Sequence, residues 1–294
     1  QPVPPGTPRR IRWARRRKAL HRFWLAFRKD TMGMVGLVIL VFFIGVAIFA
    51  VFADTSGTRI TEATGERLQP PSWDYPLGTD NYGRSVLTLT IQGAKVSLLV
   101  GLTATVITMI IGSAVGLAAG YRGGGTDTLL MRITDWGLVI PWLVLAISLA
   151  SIFGQSLVII ILVIGLTTWT STARLVRSQV LSVKERAYIE RSRALGAGNW
   201  YLVTRHVLPN VMPVIMANTV LIVAIAILSE TALSFLGLGD PFSISWGQIL
   251  QQANDAGAST LGAWWWLGAP GVCIVLVVLA FTMIGFALDE IINP

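Results

Sequence analysis

Charge-free apolar runs of membrane length alternate with short polar segments along this 294-residue chain. Thr31–Ala53 carries no charge, and about 20 apolar residues suffice to cross the hydrocarbon core of a bilayer. Val96–Tyr121 is a second such run; its Gly101, Gly112, Gly116, Ser113 and Ala114 are the small residues that close helix packing in lipid uses. Trp136–Ala173 has no charge over 38 residues, too long for one helix and enough for two, with Gly154-Gln155-Ser156 as the turn between them. The first of that pair is predicted to begin near Thr128, to hold Arg132 and Asp135 at the interface, and to kink at Pro141. Val211–Ser229 is the fifth span, with Pro213 near its start and Glu230 at its end, and Leu267–Leu288 is the sixth.

The pattern therefore predicts an all-α integral membrane protein with six transmembrane helices. Its expected parts are a basic interfacial segment (1–30), a first span (31–53), an external loop (54–95), a five-helix core (96–288) and a short tail (289–294). Within the core, 174–210 is the one charged, helix-forming interruption. Ser182 followed three residues later by Glu185 has the form of a capping box. Gly196 stands where a helix C-terminus takes the left-handed conformation, and Pro209 is expected to stop the piece that follows. On a helical wheel at 100° per residue, Val183, Ala187 and Ala194 share one side, extended by Tyr188 and Leu195. Glu185, Arg186, Glu190 and Arg193 share the other, and Ile189 lies among them. That face reads equally as a solvated surface and as a docking surface with Ile189 as its apolar knob.

Composition agrees with a membrane protein: 53% of residues are hydrophobic and 13% charged, against about a quarter charged in soluble domains, and the mean hydropathy is +0.66. The net charge of +8 does not indicate nucleic acid, because the cations crowd next to apolar runs. Ten of the 23 Lys and Arg residues fall within residues 1–30, interleaved with Trp13, Phe23, Trp24 and Phe27, a pattern suited to anionic lipid headgroups. Residues 1–30, 122–135 and 174–206 together hold 19 of the 23; the opposite side holds Arg59, Arg67, Arg84 and Lys95. The positive-inside rule then predicts both termini and the 174–210 stretch in the cytoplasm. No small-residue cleavage site follows the first apolar run, so no cleavable signal peptide is expected. The chain starts at Gln1 rather than Met, so a preceding piece is expected to be missing. The single cysteine, Cys273, allows neither a disulfide framework nor a thiolate metal site. Arg122-Gly-Gly-Gly125 lacks the following Gly-Lys-Ser/Thr that a phosphate loop needs.

The charged stretch resembles the cytoplasmic EAA loop of ABC-transporter permease subunits. Glu190-Arg191-Ser192 occupies the Glu-Ala-Ala position, Gly196 the glycine, and Leu208-Pro209 the ending; Arg191 and Ser192 depart from the two alanines. Pro76-Leu77-Gly78-Thr79-Asp80 with Gly83-Arg84 resembles the external signature of the C-type dipeptide, oligopeptide and nickel permeases, with Tyr75 and Ser85 as departures. Asp127-Thr-Leu-Leu-Met-Arg132, Ala173-Arg-Leu-Val-Arg177, Glu230-Thr-Ala-Leu-Ser-Phe-Leu-Gly-Leu-Gly239 and Ser245-Trp-Gly247 are similar as well. The likeness extends over residues 30 to 290. It implies a type I ABC importer permease fold and a non-catalytic subunit in a bacterial inner membrane. It further implies that Tyr188, Ile189, Glu190, Arg191, Ser192, Arg193, Ala194, Leu195 and Gly196 form the coupling element for a separate ATPase. The implied partners are a homologous second permease, two ATPase subunits or domains and an extracytoplasmic substrate-binding protein. ATP and Mg²⁺ would lie on the ATPases, and this chain would hold no cofactor or metal of its own.

Peptides are the expected cargo; nickel or another small solute is the alternative within the same family. A self-contained secondary transporter would need paired ionisable residues or broken helices near the midplane, and mid-span charges are absent; a membrane enzyme would need a catalytic constellation, and the sequence offers none. Glu230 is an ionisable residue close to the outer end of the fifth span. It is a translocation-path candidate, weighed against the favoured reading of a cap or pair at the interface. Arg84 is weighed between partner contact and loop fixing. His21 and His206 lack a second ligand at metal spacing, and Trp264-Trp265-Trp266 reads as an interfacial belt.

Overall fold

The computed structural model describes residue 21 and residues 23–53 and 62–292. Most of the basic 1–30 segment, and Arg59 in the loop, lie outside the described residues. Thr31–Ala53 forms the first helix, α1, with the bounds expected from its apolar run. The second helix, α2, is longer than expected. It runs Val86–Arg122, ten residues into the stretch read as external loop, because Ser85 caps it and accepts the Thr88 N–H. Its buried Val86, Leu89 and Gly93 lie on the same helix faces as the membrane run that follows.

Next come α3 (Gly124–Val139) and α4 (Trp142–Phe153), bent by 87° at Ile140–Pro141. The expected kink is thus a full break. Ile140 is extended (ψ 124°), as a residue before proline tends to be. The twelve-residue α4 is about 18 Å long, too short to cross alone. Gly154 turns the chain (φ +94°) into α5, Leu157–Lys184. Among the described residues, five helices are long and apolar enough to span a bilayer, and six spans result when the bent pair counts as one.

The centre of the bundle is the pair α2 and α5. A Cβ on Gly112 would lie 2.7 Å from Thr172 Cβ, one on Gly120 2.9 Å from Val180 Cβ, and one on Gly165 2.7 Å from Ile107 Cγ2. Without these glycines the helices could not approach so closely, and dispersion contacts replace the hydrophobic driving force that lipid does not supply. Arg177 binds Asp127 through two bonds (2.5 and 2.6 Å), and Arg174 binds Asp135 (2.7 Å), tying α5 to α3.

The chain then forms a short helix α6 (Ala187–Ala194), a helical turn α7 (Asn199–Leu202), a π-turn (Val203–Val207) and α8 (Leu208–Leu233). Residues 199–238 form one continuous helical run, so Pro209 does not stop the chain as expected. It sits in the first turn of α8, where its missing N–H has less consequence. The preceding Leu208 N–H reaches back to the Val203 carbonyl, five residues away. A second π-turn (Ser234–Leu238) ends at Gly237 (φ +81°). The helices α9 (Trp246–Asp255) and α10 (Trp264–Ile292) complete the fold.

The 62–85 loop and the charged stretch lie at opposite ends of α2: Ser85 caps one end, whereas Tyr121 near the other donates to Asn199 Oδ1 (2.9 Å). The first is the loop end and the second the basic end. At the loop end, Trp246 is fully buried and donates to the Thr90 carbonyl (2.8 Å), and the Phe43 ring meets it edge-on at 5.7 Å. The tryptophan triplet is mostly core rather than belt: Trp265 and Trp266 are buried, and only Trp264 is exposed.

Candidate functional site

The charged stretch is arranged differently from the wheel. Helix α5 runs through Ser182 to Lys184, because Val176, Val180 and Val183 are all buried on its inner face and carry the helix onward. Ser182 and Glu185 therefore do not form a capping box. The break falls at Arg186, whose extended backbone (ψ 136°) starts α6 without any side-chain cap. This break resets the helical phase, so a wheel drawn continuously from Val183 misplaces every residue after it.

The largest consequence concerns Ile189. It is fully buried, packed in one cluster with Val180, Val183, Leu202 and Val207. It is the anchor that holds α6 against the bundle, not a knob offered to a partner. Tyr188, Glu190, Arg191, Arg193, Ala194, Leu195 and Gly196 are exposed, and Ser192 is half-buried with its hydroxyl on the Tyr188 carbonyl (2.8 Å). Arg191 lies in the last turn with Arg193, and Glu190 in the first; each charge complements the helix dipole. The arginine in place of alanine thus projects outward and needs no packing space.

The end of α6 is a Schellman motif. The Gly196 N–H bonds the Arg193 carbonyl (3.0 Å) and the Ala197 N–H bonds the Ser192 carbonyl (3.1 Å), the 5→2 and 6→1 pair. Gly196 has φ +88°, and a Cβ there would meet nothing within 4 Å. Its requirement is therefore conformational and not steric. On either side of it, Leu195, Trp200 and Tyr201 stand 88%, 80% and 52% exposed. Trp200 and Tyr201 were not singled out from the sequence, although two aromatic residues next to a glycine break in a polar stretch are visible there. The Tyr188 and Tyr201 rings flank His206 at 6.0 and 5.6 Å. The basic end thus presents a rigid, pinned projection with charged and apolar groups facing outward.

At the loop end, the residues of the external signature assemble around Asp80. Its carboxylate, with no exposure, accepts the backbone N–H groups of Tyr82 and Arg84 (both 2.8 Å) and the Arg84 Nε–H (2.6 Å). Arg84 in turn donates through Nη2 to Gln252 Oε1 on α9 (3.0 Å). Thr79 donates to the Glu66 carbonyl and accepts the Gln69 N–H, while its own carbonyl accepts the Trp265 indole N–H (3.1 Å). Pro76 is exposed, Leu77 packs on the core, and Gly83 is buried. Gly78 (φ +65°) has no room for a side chain, since a Cβ would lie 2.6 Å from the Gln69 carbonyl. The signature is thus a folded lock between the loop, α9 and α10, and Arg84 fixes the loop.

Glu230 is neither an interfacial cap nor solvent-facing. It is 1% exposed and accepts the hydroxyls of Ser97 on α2 (3.1 Å) and Ser234 (2.7 Å). Among the described residues, no group of three or more His, Cys, Asp or Glu side chains is placed to hold a metal.

The chain is similar to known proteins along most of its length. Residues 112–294 match the family described as binding-protein-dependent transport system inner membrane component, and residues 19–71 match the N-terminal TM domain of oligopeptide transport permease C. The dipeptide transport system permease protein DppC of Bacillus subtilis is 38% identical over 92% of this chain and 84% of its own length. The oligopeptide transport system permease protein OppC of the same organism is 37% identical over 92% and 88%. A putative peptide transport system permease protein of Brucella suis is 36% identical over 88% and 86%. A structure of the MetNI methionine ABC transporter in an inward-facing conformation contains a chain that superposes with a TM-score of 0.57. That chain is 21% identical, and the superposition covers 70% of this chain and 95% of that one; it shows the fold. With a matching family over residues 112–294 and relatives of this identity along most of its length, the chain belongs to the inner-membrane permease components of binding-protein-dependent ABC transport systems, in the peptide-permease branch.

Proposed function

We propose that this chain is a permease subunit of an ATP-driven importer of di- or oligopeptides. It pairs with a homologous permease, and the translocation path lies between the two. The distribution of cations supports a cytoplasmic basic end, with both termini assigned to that side. Two ATPase subunits or domains, which carry ATP and Mg²⁺, dock on the α6 projection; an extracytoplasmic binding protein delivers peptide at the loop end.

The observation that carries this reading is the construction of α6 and its surroundings. A lever has to be stiff, fixed at its base and free at its contact surface. The Schellman turn at Gly196 fixes its angle. Ile189 pins its base, and the covalent path to α8 is only a helical turn and a π-turn. Glu190, Arg191, Arg193, Leu195 and Trp200 are left to the partner. Closure of the ATPases then acts on α8 through differential contact with two states, which is the only way such coupling can be driven. Peptides are favoured as cargo because the relatives named above are peptide permeases.

The test is transport by the reconstituted complex. Gly196→Val forces a β-branched residue into the left-handed region at a cost of about 1–3 kcal/mol, so peptide uptake is expected to fall roughly tenfold. Gly196→Asn, which tolerates that region, should retain most of it. Normal uptake by Gly196→Val at wild-type levels of assembled complex would refute the lever.

A further inference from the structure

Helix α8 is a single rod of 26 residues, about 39 Å long. It runs from the π-turn behind the coupling segment to the π-turn that precedes α9. At its far end stands Glu230, a carboxylate enclosed by the chain's own helices. Two serines from different elements bond it: Ser97 comes from α2 and Ser234 from the π-turn.

Ser97 does two things at once. Its hydroxyl donates to Glu230, and its oxygen accepts the backbone N–H of Trp246, the first residue of α9 (3.2 Å). The start of α9 also rests directly on α8, since a Cβ on Gly247 would lie 2.7 Å from the Thr231 carbonyl. From α9 the path continues through Gln252 to Arg84 and Asp80 of the external lock. A continuous chain of bonded groups thus leads from the outer end of α8 to the external surface. Apolar residues would pack these elements at least as stably, because burying a carboxylate is costly. A carboxylate with directed bonds instead fixes one relative placement of three elements.

We propose that Glu230 is a positioning residue for transport: it clamps the outer end of α8 to α2 and to the start of α9, so that a displacement of the coupling segment reaches the external helix. The proposal rests on the reading of α6 as the ATPase-coupling element. Glu230 touches neither cargo nor nucleotide; it acts through α9.

The experiment uses the complete transporter with its ATPases and binding protein in proteoliposomes. Asn254→Cys, on the exposed part of α9, is introduced on a Cys273→Ala background and labelled from outside with a membrane-impermeant maleimide. With Glu230 intact, the labelling rate is expected to change about threefold or more between the nucleotide-free and ATP-bound complexes. With Glu230→Gln the response should shrink to less than about 1.5-fold, at an unchanged amount of complex. Ser97→Ala, which keeps the carboxylate but severs the link to Trp246, should shrink it as well, and it decides the matter where Glu230→Gln fails to assemble. A full nucleotide response in the assembled variants overturns the proposal, as does an unresponsive α9 when Glu230 is intact. A merely structural role would lower the amount of complex while leaving the response ratio intact, and that outcome also counts against it. Failure of the coupling reading registers separately, as loss of ATPase cross-linking to Leu195→Cys with all native residues present around Glu230.

Discussion

Asp80→Ala is expected to destabilise the folded chain by about 3–5 kcal/mol, the usual consequence of removing one partner of a buried ion pair. The loss has three parts. Two backbone N–H groups, of Tyr82 and Arg84, lose their acceptor, and the Arg84 guanidinium, only 14% exposed, is left beside Gln252 without its counter-charge. Because the same loop holds Trp265 through the Thr79 carbonyl, disorder there should spread into the packing of α10. Thermal unfolding of the purified protein in detergent measures this: the midpoint should drop well below that of the wild type. Arg84→Met in the Asp80→Ala background should recover part of the loss, since removing both charges leaves no buried charge unpaired. Additive losses in the double variant would show that the pair is not the organising contact of the loop.

Ile189→Asp should have a comparably large effect at the other end, confined to the coupling segment. A carboxylate placed among Val180, Val183, Leu202 and Val207 is unpaired and desolvated, which costs several kcal/mol and is avoided by undocking the helix. Limited proteolysis should then cut between residues 185 and 198, where the wild type resists, and uptake should be abolished with the spans intact. Ile189→Leu conserves volume and should cost less than about 1.5 kcal/mol, with near-normal uptake. If Ile189 were instead the partner contact, Ile189→Asp would leave the segment protease-resistant and lose only ATPase binding.

The spans were legible because the signal that defines them is one-dimensional. The apolar run Thr31–Ala53 is the helix, the turn at Gly154 is where two spans had to part, and the residue before Pro141 is extended as its chemistry demands. Gly196 was legible for the same reason, since a C-cap needs only its own residue type and local spacing. The misreadings share a different cause. The wheel for Ile189 required a helical phase, and that phase is reset at Arg186, a break that no proline or glycine marks. Ser182 carries the letters of a cap, but the buried valines on the inner face of α5 carry the helix past it. Glu230, Trp265 and Trp266 read as interfacial by position along the chain. Their burial depends on Ser97, Thr79 and the whole of α9 arriving from elsewhere in the sequence, which no local window contains. The lock at Asp80 was visible as a motif through its family likeness, whereas its construction, with Arg84 reaching Gln252 168 residues away, needed the fold.

The central claim is that the pinned projection α6, at the basic end, is where a separate ATPase engages. It is tested most directly by placing a cysteine at Leu195, the most exposed apolar residue of the segment at 88%, attaching a photoreactive benzophenone maleimide to it and irradiating the assembled complex in native membranes. The account predicts a cross-link between Leu195→Cys and an ATPase subunit whose yield changes between the nucleotide-free and ATP-bound states, and none from Ile189→Cys, which is buried. No ATPase cross-link from Leu195→Cys in a complex that still imports peptide would contradict it.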